Sequence, residues 1–226
     1  MSKKNRERSP GSPIWVRDFD DNSSLQFHSD IWQAFLEDPC NPLTIHIDSF
    51  GGSVYSLLHK METMDNIRAV APEEFFFITY VHTTAFSCGI MLAAHGDLRW
   101  ATPKSRLMFH EGTNVIYGRD HQIDIQYQDM KIVNDMVDNI FIADTGFKGG
   151  LEGLRKWGEK DRYLSPQQAK ELGIIDRIGY IKPKQLVFTS PSFGECDALS
   201  LRKTVSKEEK PKAKRPAVKK KTTKKK

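Results

Sequence analysis

The chain has 226 residues, room for one generous domain with its own core, and a net charge of +5 from 34 Lys and Arg against 29 Asp and Glu. That charge sits at the ends: residues 207–226 carry +9 and residues 1–8 carry +3, which leaves −7 on 9–206 and excludes a basic, nucleic-acid-binding body. Three scattered cysteines without a CxxC pair exclude a disulfide framework and a zinc ribbon, and no apolar run approaches the ~20 residues of a membrane span.

The N-terminus, 1–13, is polar and basic, with no apolar stretch of the secretory type behind it, and reads as a disordered lead-in. The expected setting is therefore a reducing cytoplasm. Ile14–Val16 reads as a short strand. Leu25–Glu37 has Ile31, Trp32, Phe35 and Leu36 at helical spacing. Leu43–Ile47 reads as a strand closed by Asp48-Ser49-Phe50-Gly51-Gly52, and Ser53–Asn66 as a helix with Val54, Leu57, Leu58, Met61 and Met64 on one face. Phe75–Val81 is a nearly continuous β-prone run, as in a strand buried on both faces. Ser87–Ala94 reads as a small buried helix, Leu98–Ala101 and Leu107–Phe109 as strands, and Ile123–Asp144 as a long helix. Ser165-Pro166-Gln167-Gln168 is a capping-box start for a helix ending at Leu172-Gly173, with a strand Ile174–Ile178 after it. Alternation of this kind predicts an α/β fold with a largely parallel sheet. From 191 the apolar density falls, and after Val205 it nearly vanishes into a Lys-rich tail, read as disordered.

Four places carry chemistry. Ala85-Phe86-Ser87-Cys88-Gly89 follows the buried strand with small residues around a serine, as a nucleophile turn requires; the competing reading of Ser87 is a helix N-cap. His110 stands where a strand emerges, placed either to act as a base or to be a half-buried histidine held by the backbone. No second histidine follows His110-Glu111 at zinc-ligand spacing, so no metal site is expected. Asp161 precedes the capped helix, as an orienting carboxylate or a solvated loop residue. Gly51-Gly52 after a strand lets the backbone approach a ligand and present N–H groups to an oxyanion; no Lys-Ser/Thr follows, which excludes a phosphate loop. Together they offer a nucleophile and a base, with candidates for an orienter and an oxyanion hole, in the chain order Ser, His, Asp.

These motifs, with Ile47–Val54, Ala85–Gly89, Ser105–His110 and Asp161–Ser165 in this order, resemble the proteolytic subunit of the Clp protease over about residues 14–182. The resemblance implies an α/β fold of the ClpP/crotonase type with a protruding handle helix, and a peptidase domain over 14–187 between the disordered ends 1–13 and 188–226. It implies Ser87 as nucleophile, His110 as general base, Asp161 as the group that orients the imidazole, and the amides of Gly52 and Cys88 as the oxyanion hole. No cofactor is implied. Cys88 stands where the family has Met and reads as a packing residue that lends its amide, rather than as a rival thiol nucleophile. Phe50 replaces the family's Pro, and Glu111-Gly112 its Gln-Pro, beside the expected peptide groove with Gly51. Residues 1–13 show no clear counterpart of the family's axial loop.

Oligomer contacts follow from the same resemblance. The long helix shows one apolar stripe at Ile123, Tyr127, Met130, Val137 and Phe141, with Asn134 filling a step, and a second at Ile132, Met136, Ile140 and Ala143. A helix apolar on two sides is buried between two bodies. In the family it interlocks two stacked heptameric rings, and the acid-base order of Glu159-Lys160 couples ring contact to the site. The expected partners are a separate AAA+ unfoldase, because the chain has no ATPase signature, and unfolded polypeptide or peptide substrates. Other readings are a relative specialised for virion maturation and a crotonase-type acyl-CoA enzyme. The lysine tail is expected to bind polyanions such as nucleic acid weakly, if at all, and no membrane contact is expected.

Overall fold

The computed structural model describes residues 13–112 and 116–181; the ends predicted to be disordered lie outside them, apart from Pro13. In chain order the elements are β1 (Ile14–Val16), α1 (Asp21–Glu37), β2 (Leu43–Ser49), α2 (Val54–Val70), β3 (Phe77–Phe86), α3 (Cys88–Ala94), β4 (Leu98–Ala101), β5 (Arg106–Phe109), α4 (Asp120–Thr145), α5 (Gly150–Gly158), β6 (Arg162–Leu164), α6 (Pro166–Glu171) and β7 (Arg177–Ile178).

The β-prone run at 75–81 becomes the centre of the sheet. β3 pairs in parallel with β2 on one side. On the other side its partner changes: Ile78–Val81 pair with β4, and Thr84–Phe86 pair with β5. β1 adds outside β2 and β7 outside β4, all parallel, while β6 runs antiparallel to β5. The sheet is therefore largely parallel, as the alternation of patterns predicts. Its register brings two strand ends together. Phe86 pairs with Met108, so β3 and β5 end side by side, immediately before Ser87 and His110.

Local chemistry fixes the helix starts. Asp20 caps α1 in a reciprocal capping box: its carboxylate accepts from the Ser23 amide at 2.7 Å, and the Asp20 amide donates to Ser23 Oγ at 3.0 Å. This moves the helix start four residues ahead of the Leu25 expected from apolar spacing. Ser165 and Gln168 form the predicted box at α6. α3 is buried along its whole length, consistent with its small apolar sequence. The main core gathers Ile45, Ile47, Leu57, Met61, Ile90, Leu107 and Phe141 between the sheet and the helices.

Strand β6 is not foreseen in the sequence and β3 runs five residues past Val81; three further elements depart from the sequence expectation. The strand foreseen over 174–178 shrinks to Arg177–Ile178, because the amides of Ile174 and Ile175 turn back to the Ala169 carbonyl at 2.9 and 3.4 Å. Helix α5 has no counterpart in the sequence reading; three glycines, Gly149, Gly150 and Gly153, hide it from propensity. It is held by burying Leu154 and by Arg155, which pairs with Asp135 and with Asp138 at 3.5 Å on α4. Finally, α4 is not buried on two sides within one chain. Val133, Val137 and Phe141 are buried, but Tyr127, Ile132 and Met136 are exposed, and every side chain from His121 to Asp129 faces solvent.

Candidate active site

Ser87 stands at the N-cap position of α3, yet its side chain makes no capping hydrogen bond. Among the described residues it is the only non-glycine with positive φ, at +53°, ψ −120°. That backbone is strained for an L-residue, a conformation compatible with a tight turn between strand and helix. The surrounding structure enforces it. The Ser87 amide donates to the Met108 carbonyl at 2.9 Å, and the fully buried helix α3 follows at once. Gly51 packs so closely that a Cβ there would lie 2.7 Å from Ser87 Cβ. The capping reading of Ser87 is thereby removed.

His110 follows β5, whose last residue, Phe109, is wedged between ring neighbours. Phe109 stacks on Phe141 at 5.1 Å and lies 5.1 Å from Trp157. The next amide, that of Glu111, donates to the Gly158 carbonyl at 3.2 Å. The strand end is thus anchored on both sides of the histidine. Ser87 and His110 line one cavity of about 630 Å³, together with Gly52, Cys88, Glu111 and Gly112. Gly52 has φ +149°, and its carbonyl accepts from the Cys88 thiol at 3.2 Å. As the first residue of α3, Cys88 has a backbone N–H that the helix itself does not consume. Both expected oxyanion donors therefore belong to the lining of this cavity.

Asp161 is placed differently. It is exposed and lines a separate opening with Trp157, Arg162, Tyr163 and Gln168. Among the described residues no hydrogen bond joins it to the His110 ring. Glu159 and Lys160, just before it, are also exposed.

The α4 side of the cavity wall includes Tyr127, Met130, Asn134 and Val137, which belong to the first apolar stripe and its polar step. The wall also holds residues that motif reading does not select: Tyr55, Met91, Lys131, Asp138 and Arg155. Asp138 is pushed up to about 6, first by burial and then by the charge of Glu111. Exposed Phe50 meets Phe86 edge-on at 5.6 Å, and Phe86 meets Tyr163 in the same way at 5.6 Å. Phe50 thus stands in a row of three aromatic rings.

The family model described as Clp protease matches residues 14–182. The chain belongs to the Clp protease family. Its mixed α/β architecture on a largely parallel sheet is that of the family, and the family assigns it to the peptidase hydrolases. Clp proteases in general form oligomeric chambers that work with AAA+ partners. Among the described residues of this Clp protease, no helix is long and apolar enough to cross a membrane.

Proposed function

We propose that the chain is a serine endopeptidase that cleaves unfolded polypeptides inside a chamber of two stacked heptameric rings, fed by a separate AAA+ unfoldase in the cytoplasm. The observation that carries this reading is Ser87: a strained, uncapped serine at a strand-to-helix corner, sharing a cavity with His110.

The chemistry is acyl transfer. Ser87 Oγ attacks the scissile carbonyl carbon while the His110 imidazole takes the hydroxyl proton. The amides of Gly52 and Cys88 hold the developing oxyanion; one such donor is typically worth ~3–4 kcal/mol of barrier. The C–N bond then breaks as His110 returns the proton to the leaving amine. Water, deprotonated by the same imidazole, releases the acid from Ser87. Asp161 serves as the orienting carboxylate once ring pairing, sensed through Glu159-Lys160 and α4, brings it to His110. Its separate position in the single chain agrees with a site that is completed by assembly.

The test is a fluorogenic-peptide assay on wild type and Ser87→Ala, with a fluorophosphonate probe beside it. Hydrolysis and labelling that both vanish in Ser87→Ala support the reading. Hydrolysis that survives that substitution excludes it, and an acyl-CoA activity without labelling favours the crotonase-type alternative.

A further inference from the structure

Lys60 is among the most deeply buried large side chains, 1% exposed, on the face of α2 turned toward α1. Its ammonium donates to Ser56 Oγ at 2.9 Å and to Ser23 Oγ and Ser24 Oγ at 3.1 Å each, which uses all three of its protons. The rings of Phe19 and Phe27 lie 5.1 and 5.9 Å away. The hydroxyls pass the network on. Ser24 Oγ and Ser56 Oγ reach the Asp20 carbonyl at 2.9 and 3.2 Å, and Ser23 Oγ reaches the Asp18 carbonyl at 2.9 Å. The segment Asp18–Asp20 is thus held from one side by a single buried cation.

Between those two carbonyls sits Phe19, which touches the proposed oxyanion loop. Phe19 bridges Gly52 in parallel, and its carbonyl accepts from the Ser53 amide at 2.8 Å. A Cβ on Gly52 would lie 2.5 Å from that carbonyl oxygen, so the two backbones leave no slack. On its other side Gly52 is held by the Cys88 thiol.

We propose that Lys60 is a positioning residue: through Ser23, Ser24 and Ser56 it fixes Phe19, and Phe19 fixes the backbone of Gly52 at the oxyanion hole. The inference rests on the serine-peptidase reading. A purely structural role fits less well, because a buried ammonium costs desolvation that a methionine of similar shape would not. The titratable groups facing Lys60 are Asp18 and Asp20 from the β1–α1 connection and Cys88 from α3. Burial lowers Lys60 to about 8 against their opposing pull. The charge, and one of the three donated protons, is therefore lost within an accessible range.

The experiment compares wild type, Lys60→Met and Ser56→Ala in peptide hydrolysis from pH 6.5 to 9.5, with thermal melts and the rate of fluorophosphonate labelling at Ser87. Lys60→Met is expected to fold with an equal or higher melting temperature and to lose roughly ten- to a hundredfold in kcat, with KM within about twofold, because the displaced group is not a substrate-binding one. The wild-type fall in kcat as pH rises through about 8 is expected to be absent from that variant. Ser56→Ala is expected to show a smaller loss in the same direction. A folded Lys60→Met with wild-type kcat, or with the same alkaline fall, overturns the proposal. If Lys60→Met does not fold, an unchanged kcat in Ser56→Ala overturns it. Absence of Ser87-dependent hydrolysis and labelling in the wild type overturns the peptidase reading and the positioning role with it. Ser87-dependent hydrolysis left intact by Lys60→Met overturns the positioning role alone.

Discussion

The Cys88 thiol donates a hydrogen bond to the Gly52 carbonyl oxygen across 3.2 Å. The contact joins the residue after Ser87 to the glycine that faces it, and it turns the sulfur into the protein. Burial pushes the thiol up, against smaller opposing contributions from Gly52, Ser87 and Lys60. A thiol held protonated in this way is a poor nucleophile. Cys40, by contrast, is exposed. A short iodoacetamide pulse at pH 7 is expected to alkylate Cys40 and to spare Cys88 by roughly tenfold or more in rate. Peptide mass spectrometry reads both sites, and comparable labelling of Cys88 would reopen the thiol reading.

Gly51 carries a second prediction. At φ +102°, a Cβ would press on Ser87 Cβ at 2.7 Å and on the Phe86 carbonyl at 3.0 Å, and neither contact is the end of a flexible side chain. Gly51→Ala should therefore displace the nucleophile, lowering fluorophosphonate labelling by about a hundredfold. The strained backbone should also cost about 1–3 kcal/mol of stability, measured by urea unfolding. Wild-type labelling in this variant would show that the turn is looser than the packing implies.

His95 is expected to tie stability to alkaline pH. It is buried at the end of α3, with Nδ1 2.8 Å from Asp144 and Nε2 3.2 Å from Asp65. Burial and the charge of Arg68, whose Nη1 lies 3.0 Å from Nε2, would lower its pKa, but the hydrogen bonds to Asp144 and Asp65 outweigh them and raise it to about 9. The folded value exceeds the unfolded 6.5, so the stabilisation is fully present below pH 6.5 and disappears as pH rises through 9. His95→Gln should cost on the order of 3 kcal/mol at pH 6, as for removing one partner of a buried pair. The gap to wild type should narrow markedly at pH 9.5. A pH-independent difference in urea midpoints would contradict this.

The exposed apolar residues of α4 predict assembly. Ile125, Tyr127 and Ile132 are 66%, 52% and 61% exposed, an apolar surface that a lone chain has no reason to show to water. Ile125→Ser with Ile132→Ser should shift native mass spectra toward smaller species. Lys160→Glu, reversing a charge beside Asp161, should lower peptidase activity by weakening ring pairing. Unchanged assembly in Lys160→Glu would rule out that route.

The tail makes a separable prediction. Deleting 207–226 removes +9 of charge. Retention on a heparin or DNA column should fall, along with its salt dependence, while peptide hydrolysis persists. Equal retention after truncation would make the tail a solubilising appendage.

The serine turn, the strand-end histidine, the paired glycines and the α/β alternation are all legible in the chain itself. Each depends on local rules: a small residue at a tight corner, a β-prone run, a capping box. The chain alone leaves Ser87 open between a strained turn and a cap, because only the pairing of β3 with β5 and the pressure of Gly51 decide its φ. Helix α5 is hidden because glycines lower local propensity, while its hold comes from Arg155 reaching α4 across a sequence gap of 17–20 residues. Lys60 cannot be singled out from its helix. Its acceptors Ser23 and Ser24 lie 37 and 36 residues away, and neighbours at that separation are set by how α1 docks on α2. Local pattern selects the side chains that are candidates for the chemistry and the order in which the chain supplies them. Packing brings Ser87 and His110 to one cavity, leaves Asp161 at another, and buries Lys60 against Ser23, Ser24 and Ser56. Distances between strand ends and helix faces come from register and packing, which no local pattern encodes.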